Sequence, residues 1–321
     1  MVKNPKKYFT FWNPFLGILW AGILAVNSAV WAQPAHVVLV RSTPRAEYEQ
    51  TAGVIISSLE KNNSELAVEE INFNDDPGQE DEFWQKALEK RPELVITIGS
   101  PATKSAVKYV HNVPIIFTMV LDNLSGLIST PSSSISGVTL AIPVQEQLEI
   151  IRNALPDIKR VGFLYSSQSA QMYQSAIRVA DKMGLRLVTS EIASERDVPE
   201  ALRRIIREAD VFWMPPDAII YERNILRFIL LECFQNNVPI IAVSKHIAEA
   251  GTPLALDIDY EDIGRQTAEL VLKSLSNRSS AKPAIEHPRK VLLYINEWVI
   301  SRLGLKIPQQ VIEQAIPVSG R

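Results

Sequence analysis

The sequence predicts an α/β protein made of two successive doubly wound parallel-sheet lobes. Three observations carry that expectation. Short continuous apolar runs such as VVLV (37–40), LVITI (94–98) and VPIIAV (238–243) have the length and composition of strands buried on both faces. Longer segments lie between them, with apolar residues recurring every three or four positions as on one face of a helix. The alternation runs once to about residue 140 and begins again at Arg160.

The first 32 residues stand apart. Lys3, Lys6 and Lys7 precede an unbroken apolar run, FLGILWAGILAV (15–26). NSAVWA follows, with Val30 and Ala32 at −3 and −1 of a cleavage point before Gln33. The run is shorter than the roughly 20 apolar residues of a membrane span. Residues 1–32 are therefore expected to be a secretory signal peptide. An uncleaved anchor is the alternative, and with either the globular part faces outside the cytoplasmic membrane.

The first array then reads in order: a strand at 37–40, a helix over 48–59, an alternating strand VEEINF (68–73), and a helix over 80–90. The strand LVITI (94–98) leads through Gly99, Ser100 and Pro101 into a helix reaching about residue 109, with Ser100 expected as N-cap and Pro101 at the first helical position. VPIIFTMV (113–120) is the next strand. Residues 122–136 are rich in Ser and Pro and read as a loop before the crossover strand ISGVTL. Pro143 opens an amphipathic helix that aligns Leu148, Ile151 and Leu155.

The second array repeats the rhythm. Strands are expected at 161–165, 185–192, 210–214 and 238–243, with helices over 170–183, 198–208 and 221–234. LALDI (254–258) is a short strand, 260–275 a strongly amphipathic helix and 276–283 a polar linker. A late strand (291–296) and two terminal helices (296–303 and 308–315) close the chain. Two similar lobes joined by crossings make a cleft, and open α/β sheets bind ligands beyond the carboxyl ends of their strands.

Composition excludes several classes. Removing the signal takes three lysines and no acid, so the net charge moves from −3 to near −6 over 289 residues. No long basic block suits nucleic acid. Cys233, the single cysteine, sits in the apolar helical pattern FILLECF and is expected to be buried. No cysteine follows the apolar run, which excludes a lipidated N-terminal Cys. His36, His111, His246 and His287 form no local metal spacing. There is no GxSxG elbow, Walker A sequence or GxGxxG fingerprint, and no His lies near the strand-end hydroxyls to activate them. No catalytic residue, metal or cofactor is expected.

Polar and aromatic residues do collect where the strands end. Arg41, Ser42, Thr43 and Tyr48 follow the first strand, Ser100 and Thr103 the third, and Phe117, Thr118 and Asp122 surround the end of the fourth. In the second array come Tyr165 and Ser166 to Ser169, then Pro216 and Asp217, then Ser244; Asp257, Asp259 and Tyr260 follow LALDI. Ser100 and Thr103 either cap their helix or also present its N-terminus to a ligand carboxylate. Asp217 either caps the following helix or faces a ligand ammonium. Trp213 is expected in the core, and Asp259 as the cap of the helix that begins at Tyr260.

The segments LVITIGSPATKSA (94–106), VPIIFTMVLD (113–122), ISGVTLAIPVQEQLEIIRNALPDIKRVGFLY (135–165), ADVFWMPPD (209–217), VPIIAVS (238–244), DYEDIGRQTAELVL (259–272) and YIN…LGLKIP (294–308) resemble, in order and spacing, the ABC transporter substrate-binding proteins of the ABC_sub_bind type, which include tryptophan- and tyrosine-binding members. The resemblance covers about 37–308. It implies a type I periplasmic-binding fold: two α/β lobes, three crossings and a hinge. Lobe 1 would be 36–140 plus about 260–283, lobe 2 would be 141–257, and 284–321 would complete both. The family's ligand-facing places fall on Ser42, Tyr48, Ser100, Thr103, Phe117, Ser166 and Asp217; the strand ends add Tyr165 and Ser244. Two departures stand out: Gly251-Thr252-Pro253 replaces the family's usual Gly-Ala, and Asp257 replaces a neutral residue.

The expectation is an extracytoplasmic, monomeric receptor that captures a small, amino-acid-like solute by hinge closure and delivers it to a membrane permease and its ATPase. A sensor of the same fold feeding a signalling partner is the alternative, followed by a secreted enzyme. A DNA-binding regulator is disfavoured, because an export signal stands where a helix-turn-helix would be needed.

Overall fold

The computed structural model describes residues 35–42, 45–63, 65–74, 76, 78–121, 135–276 and 284–319. The expected signal peptide, most of the Ser/Pro-rich loop, the 277–283 linker, Thr43 and Asp122 lie outside the described residues.

The first array comprises β1 (Ala35–Arg41), α1 (Ala46–Asn62), β2 (Leu66–Asn72), α2 (Glu80–Leu88), β3 (Leu94–Ile98), α3 (Ser100–Tyr109), β4 (Ile115–Val120) and β5 (Ile135–Thr139). The second comprises α4 (Val144–Ala154), β6 (Arg160–Tyr165), α5 (Ala170–Lys182), β7 (Arg186–Glu191), α6 (Val198–Ile206), β8 (Val211–Met214), α7 (Arg223–Gln235), β9 (Ile240–Val243), α8 (Lys245–Glu249) and β10 (Leu254–Ile258). After them come α9 (Tyr260–Ser276), β11 (Ile285–Glu286), β12 (Val291–Ile295), α10 (Glu297–Leu303), α11 (Gln309–Gln314) and β13 (Ile316–Pro317).

These strands make two sheets. One has the order β11-β5-β4-β3-β1-β2, with every pair parallel. The other has the order β13-β12-β10-β9-β8-β6-β7, parallel except where β10 meets β12. The antiparallel pair arises because the chain enters β12 from the opposite end. Each sheet contains the same doubly wound series, β2-β1-β3-β4-β5 and β7-β6-β8-β9-β10. In each, the order reverses beside the first strand, between β1 and β3 and between β6 and β8. Loops after those strands diverge to opposite faces and open a crevice.

Both sheets are covered on both faces, as their unbroken apolar strands require. In the first, α1 and α9 pack over Leu39, Ile96, Ile98 and Val138, while α2 and α3 cover Val38, Val40, Val95 and Phe117. In the second, α6, α7 and α8 lie over Leu164, Phe212 and Ala242, and α4 and α5 over Phe163, Trp213 and Ile241. Two glycines let backbones close up. A Cβ on Gly137 would lie 2.3 Å from the Phe117 carbonyl oxygen, and one on Gly162 would lie 2.3 Å from the Ile205 side chain.

The chain passes between the sheets three times: from β5 to α4, from β10 to α9, and from β11 to β12. At the second crossing Asp259 accepts hydrogen bonds from the N–H groups of Glu261 and Asp262, the capping role expected of it. Cys233 is buried, as its setting implied, and burial pushes its thiol well above the ordinary range. Two edges are very short: β11 and β13 have two residues each.

Candidate functional site

The crevice of the first sheet is built around Gly99. It sits at φ 91°, ψ 158°, a conformation open essentially to glycine alone. A Cβ there would meet the Tyr48 ring at 2.8 Å and the Ser42 hydroxyl at 2.9 Å. Ser42, Tyr48 and the β3–α3 turn are thus drawn together from two sides of the switch point. Gly99 is the N-cap of α3, so Ser100 is its first helical residue and Pro101 its second. This corrects the expected assignment of Ser100 as N-cap. Gly99 has no side chain to cap with, and the Ser42 hydroxyl does so from just beyond β1, accepting the Ala102 N–H at 3.0 Å.

This leaves α3 with a narrow free end. Pro101 has no N–H. Ala102 is held by Ser42, and Thr103 N–H bonds the Gly99 carbonyl at 3.1 Å. Ser100 remains, half-buried, its hydroxyl without a partner among the described residues. Its N–H and hydroxyl, at the positive end of a helix, suit one carboxylate.

Thr103 does not join them. Its fully buried hydroxyl donates to the Gly99 carbonyl and lies 2.9 Å from the Thr97 hydroxyl, under the helix. Phe117 is likewise absent from the crevice, its ring buried against Gly137 in the α2–α3 core. Beside it, β4 ends in a bulge at Met119, which takes φ 58°. The neighbouring Thr118 hydroxyl is buried with no hydrogen-bond partner among the described residues.

The second sheet's crevice is built around Asp217, 5% exposed in the turn after β8. Its Oδ2 accepts the hydroxyls of Ser166 and Ser169, each at 2.6 Å, and the Ser166 N–H at 3.3 Å. Oδ1 accepts the Ile219 N–H at 3.0 Å. Burial, the largest influence, pushes this carboxyl up, but the combined hydrogen bonds hold it below the usual Asp range. The group is therefore an anion at neutral pH. No cationic side chain pairs with it among the described residues. Asp217 does not cap α7, because Glu222 does, accepting from Asn224 and Ile225 N–H groups.

Tyr165 stands at the rim, stacked on Tyr173 with centroids 4.0 Å apart and planes 5° from parallel. Burial, then Tyr173 and Glu191, push its hydroxyl up. Ser244 ends β9 as the N-cap of the five-residue α8, without a side-chain cap bond. Trp213 is core, as expected; its indole N–H donates to Gln147 at 3.0 Å.

Sequence reasoning misses one participant and undervalues another. The sequence marks Gly99 only as a helix opener, because a positive φ has no signature in one sequence. Ser169 falls in the expected cap cluster, yet its hydroxyl serves Asp217. Asp257, which the sequence sets apart as a departure from the family, receives the N–H groups of Lys245 and Ile258 at 2.8 Å and the Tyr260 hydroxyl at 3.3 Å, so it is bound into the β9–β10 end.

A cavity of about 770 Å³ opens elsewhere, between α4, β12 and α11, with Ile150, Arg152, Val291 and Gln314 in its lining. None of the strand-end residues lines it. It lacks the convergent buried polar groups that mark a ligand site, which both switch points possess.

Comparison with known proteins follows the same line. A family model described as ABC transporter substrate binding protein matches residues 44–319. The tyrosine-binding protein of Clostridioides difficile (strain R20291) is 22% identical over 253 residues, covering 77% of this chain and 73% of that protein. The ligand-free, open structure of a substrate binding protein with adhesive properties from Clostridium difficile covers 89% of this chain and 100% of its own, with a TM-score of 0.76 and 19% identity. An ABC domain from Streptococcus pneumonia in complex with L-Trp covers 89% of this chain and 99% of its own, with a TM-score of 0.62 and 21% identity.

Proposed function

This chain belongs to the ABC transporter substrate-binding protein family, and from that premise we propose that it is the extracytoplasmic receptor of an ABC importer for an amino-acid-like solute. The observation that carries the ligand class is the pairing of unlike ends. One switch point offers the free N–H and hydroxyl of Ser100 to a carboxylate. The other offers an ionised Asp217, with no cationic partner among the described residues, to an ammonium. An α-amino acid carries both groups on one carbon, and the family's tyrosine- and tryptophan-binding relatives support the same class.

Binding proceeds by closure. Ser42 and Tyr48 shape the wall of lobe 1 around Gly99, and Ser166 and Ser169 fix the Asp217 carboxylate in lobe 2. Tyr165 and Ser244 sit at the rim. Thr103 and Phe117 brace the site from beneath. When the lobes swing together about the three crossings, water leaves and both charge contacts strengthen. The ligand is released unaltered to the permease, whose ATPase supplies the energy. The proposed lobes are 36–140 with the α9 region, and 141–257, with 284–321 shared between them. Residues 1–32 act as the export signal, and the receptor works as a monomer.

No described helix is long and apolar enough to cross a membrane, which suits a receptor held outside it. A thermal-shift screen against the L-amino acids, their amides and their decarboxylated amines tests the reading. Stabilisation by one or more amino acids, lost when either the carboxylate or the ammonium is removed, is expected. Equal response to the amine alone, or none to any of the set, would sink it.

A further inference from the structure

The Ser100 site in the first crevice holds no formal charge: it offers an N–H and a hydroxyl, both neutral. Two arginines flank this strand end, and they differ in one respect. Arg41 is spent. Its side chain is largely buried and pairs with Glu49 at 3.1 Å and with Glu70 at 2.9 Å. Arg45 is exposed and has no carboxylate partner among the described residues.

The acids of the first turn of α1 are engaged elsewhere. Glu49 takes Arg41, and Glu47 reaches His246 on α8 at 3.9 Å. The Arg45 guanidinium lies instead over the Tyr48 ring, 5.7 Å from its centroid, within the range of a cation–π contact. The backbone supports that pairing. Arg45 is the N-cap of α1, and its carbonyl accepts the Tyr48 N–H at 3.0 Å.

Tyr48 connects this cation to the Ser100 site. Its hydroxyl oxygen stands 3.0 Å, and that of Ser42 2.9 Å, from the point a Cβ on Gly99 would occupy, one residue before Ser100. The Tyr48 hydroxyl has no hydrogen-bond partner among the described residues. The Ser42 oxygen accepts the Ala102 N–H, and its own hydrogen has no acceptor among them. Donors from Ser42, Tyr48 and Ser100 thus gather here, with one unclaimed cation at their edge.

We propose that Arg45 is a specificity residue of the first crevice: held ready on the face of Tyr48, it makes the Ser100 site select a full negative charge over a neutral oxygen. A guanidinium can stack on a ring and still donate in its own plane. The proposal deepens the receptor reading above and rests on it for the kind of ligand, but the anion site can be tested without one. Arg45 also sets the ligand's direction. With a cation on lobe 1 and the Asp217 carboxylate on lobe 2, an α-amino acid turned end for end would meet like charge at both ends.

Sodium acetate probes the site alone. In amide proton–nitrogen NMR spectra of the ligand-free protein at fixed ionic strength, the Ser100 amide is expected to shift saturably with acetate. Arg45→Gln should weaken that response about fivefold, the size of an exposed ion pair. Arg45→Lys, which keeps the charge, should restore part of it. Lys104 is the rival cation, exposed on α3 one turn beyond Ser100 and without an ion pair among the described residues. Lys104→Gln should leave the titration unchanged. An unresponsive Ser100 amide, an equal response in Arg45→Gln, or a loss in Lys104→Gln overturns the proposal. A second arm takes whichever amino acid stabilises the protein and compares it with its amide by calorimetry. The natural chain should prefer the acid, and Arg45→Gln should narrow that preference about fivefold; an unchanged preference overturns the proposal as well. Acetate binding that depends on Arg45, with no amino acid bound, would count against the receptor reading alone.

Discussion

Single residues decide the chemistry of both switch points. Replacing Asp217 with Asn keeps the shape and removes the charge, and should weaken an ammonium-bearing ligand by about 2 kcal/mol, some thirtyfold, in titration calorimetry. Unchanged heat and affinity would remove Asp217 from the site. The same carboxyl links folding to pH. Its folded value lies below the ordinary 3.8, so it contributes stability above pH 3.8 that is lost as pH falls through its lowered value. Urea unfolding between pH 5 and pH 3 should therefore show a smaller loss in Asp217→Asn than in the natural chain. Gly99→Ala tests the other switch point. Its Cβ would press on Tyr48 and Ser42 in a backbone region only glycine occupies, costing about 1–3 kcal/mol by thermal unfolding. Affinity should fall with it, since Tyr48 and the Ser100 turn must both shift.

At the scale of elements, propensity and pattern were enough for most of the chain. The run LVITI marks β3 to the residue, because a strand buried on both faces has no other composition available to it. The amphipathic spacing of 260–275 locates α9 within a residue, with Asp259 as its cap. Elements with little apolar content of their own were not legible: α8, β11 and β13 are five, two and two residues long and exist because neighbours pair with them. The site was half legible for a related reason. Strand ends can be read from a sequence, but the direction of a side chain cannot be read where the strand is buried on both faces, so Phe117 groups with Ser42 and Ser100; Thr103, three residues into α3, turns its hydroxyl back under the helix to Thr97 and the Gly99 carbonyl. Gly137 gives this level its test. Its missing Cβ lets β5 lie against the Phe117 carbonyl, so Gly137→Ala should destabilise the first sheet by about 1–3 kcal/mol, seen as a fall in melting temperature. Retained stability would show that β4 and β5 can move apart.

For the molecule as a whole, the two arrays fold the same topology twice and place a polar switch point in each. The order of the family-like segments was readable because it follows that repeated topology. The relation between lobes was not, since three short crossings carry it and the bond that ties the first to the third, His287 to Ala141, joins residues 146 positions apart. Closure should appear in solution scattering as a smaller radius of gyration on saturation with ligand; an unchanged profile with tight binding would argue for a rigid receptor. One consequence follows from how the sheets end. Strand margins are where strange chains can zip on, because unpaired amides and carbonyls wait there in a row. On one flank each sheet finishes in a stub of two residues, and the stub of the second contains Pro317, which has no amide hydrogen to donate. A neighbour seeking to extend the ladder would find almost nothing to grip, so concentrated stocks of this protein should resist growing into fibres from those borders.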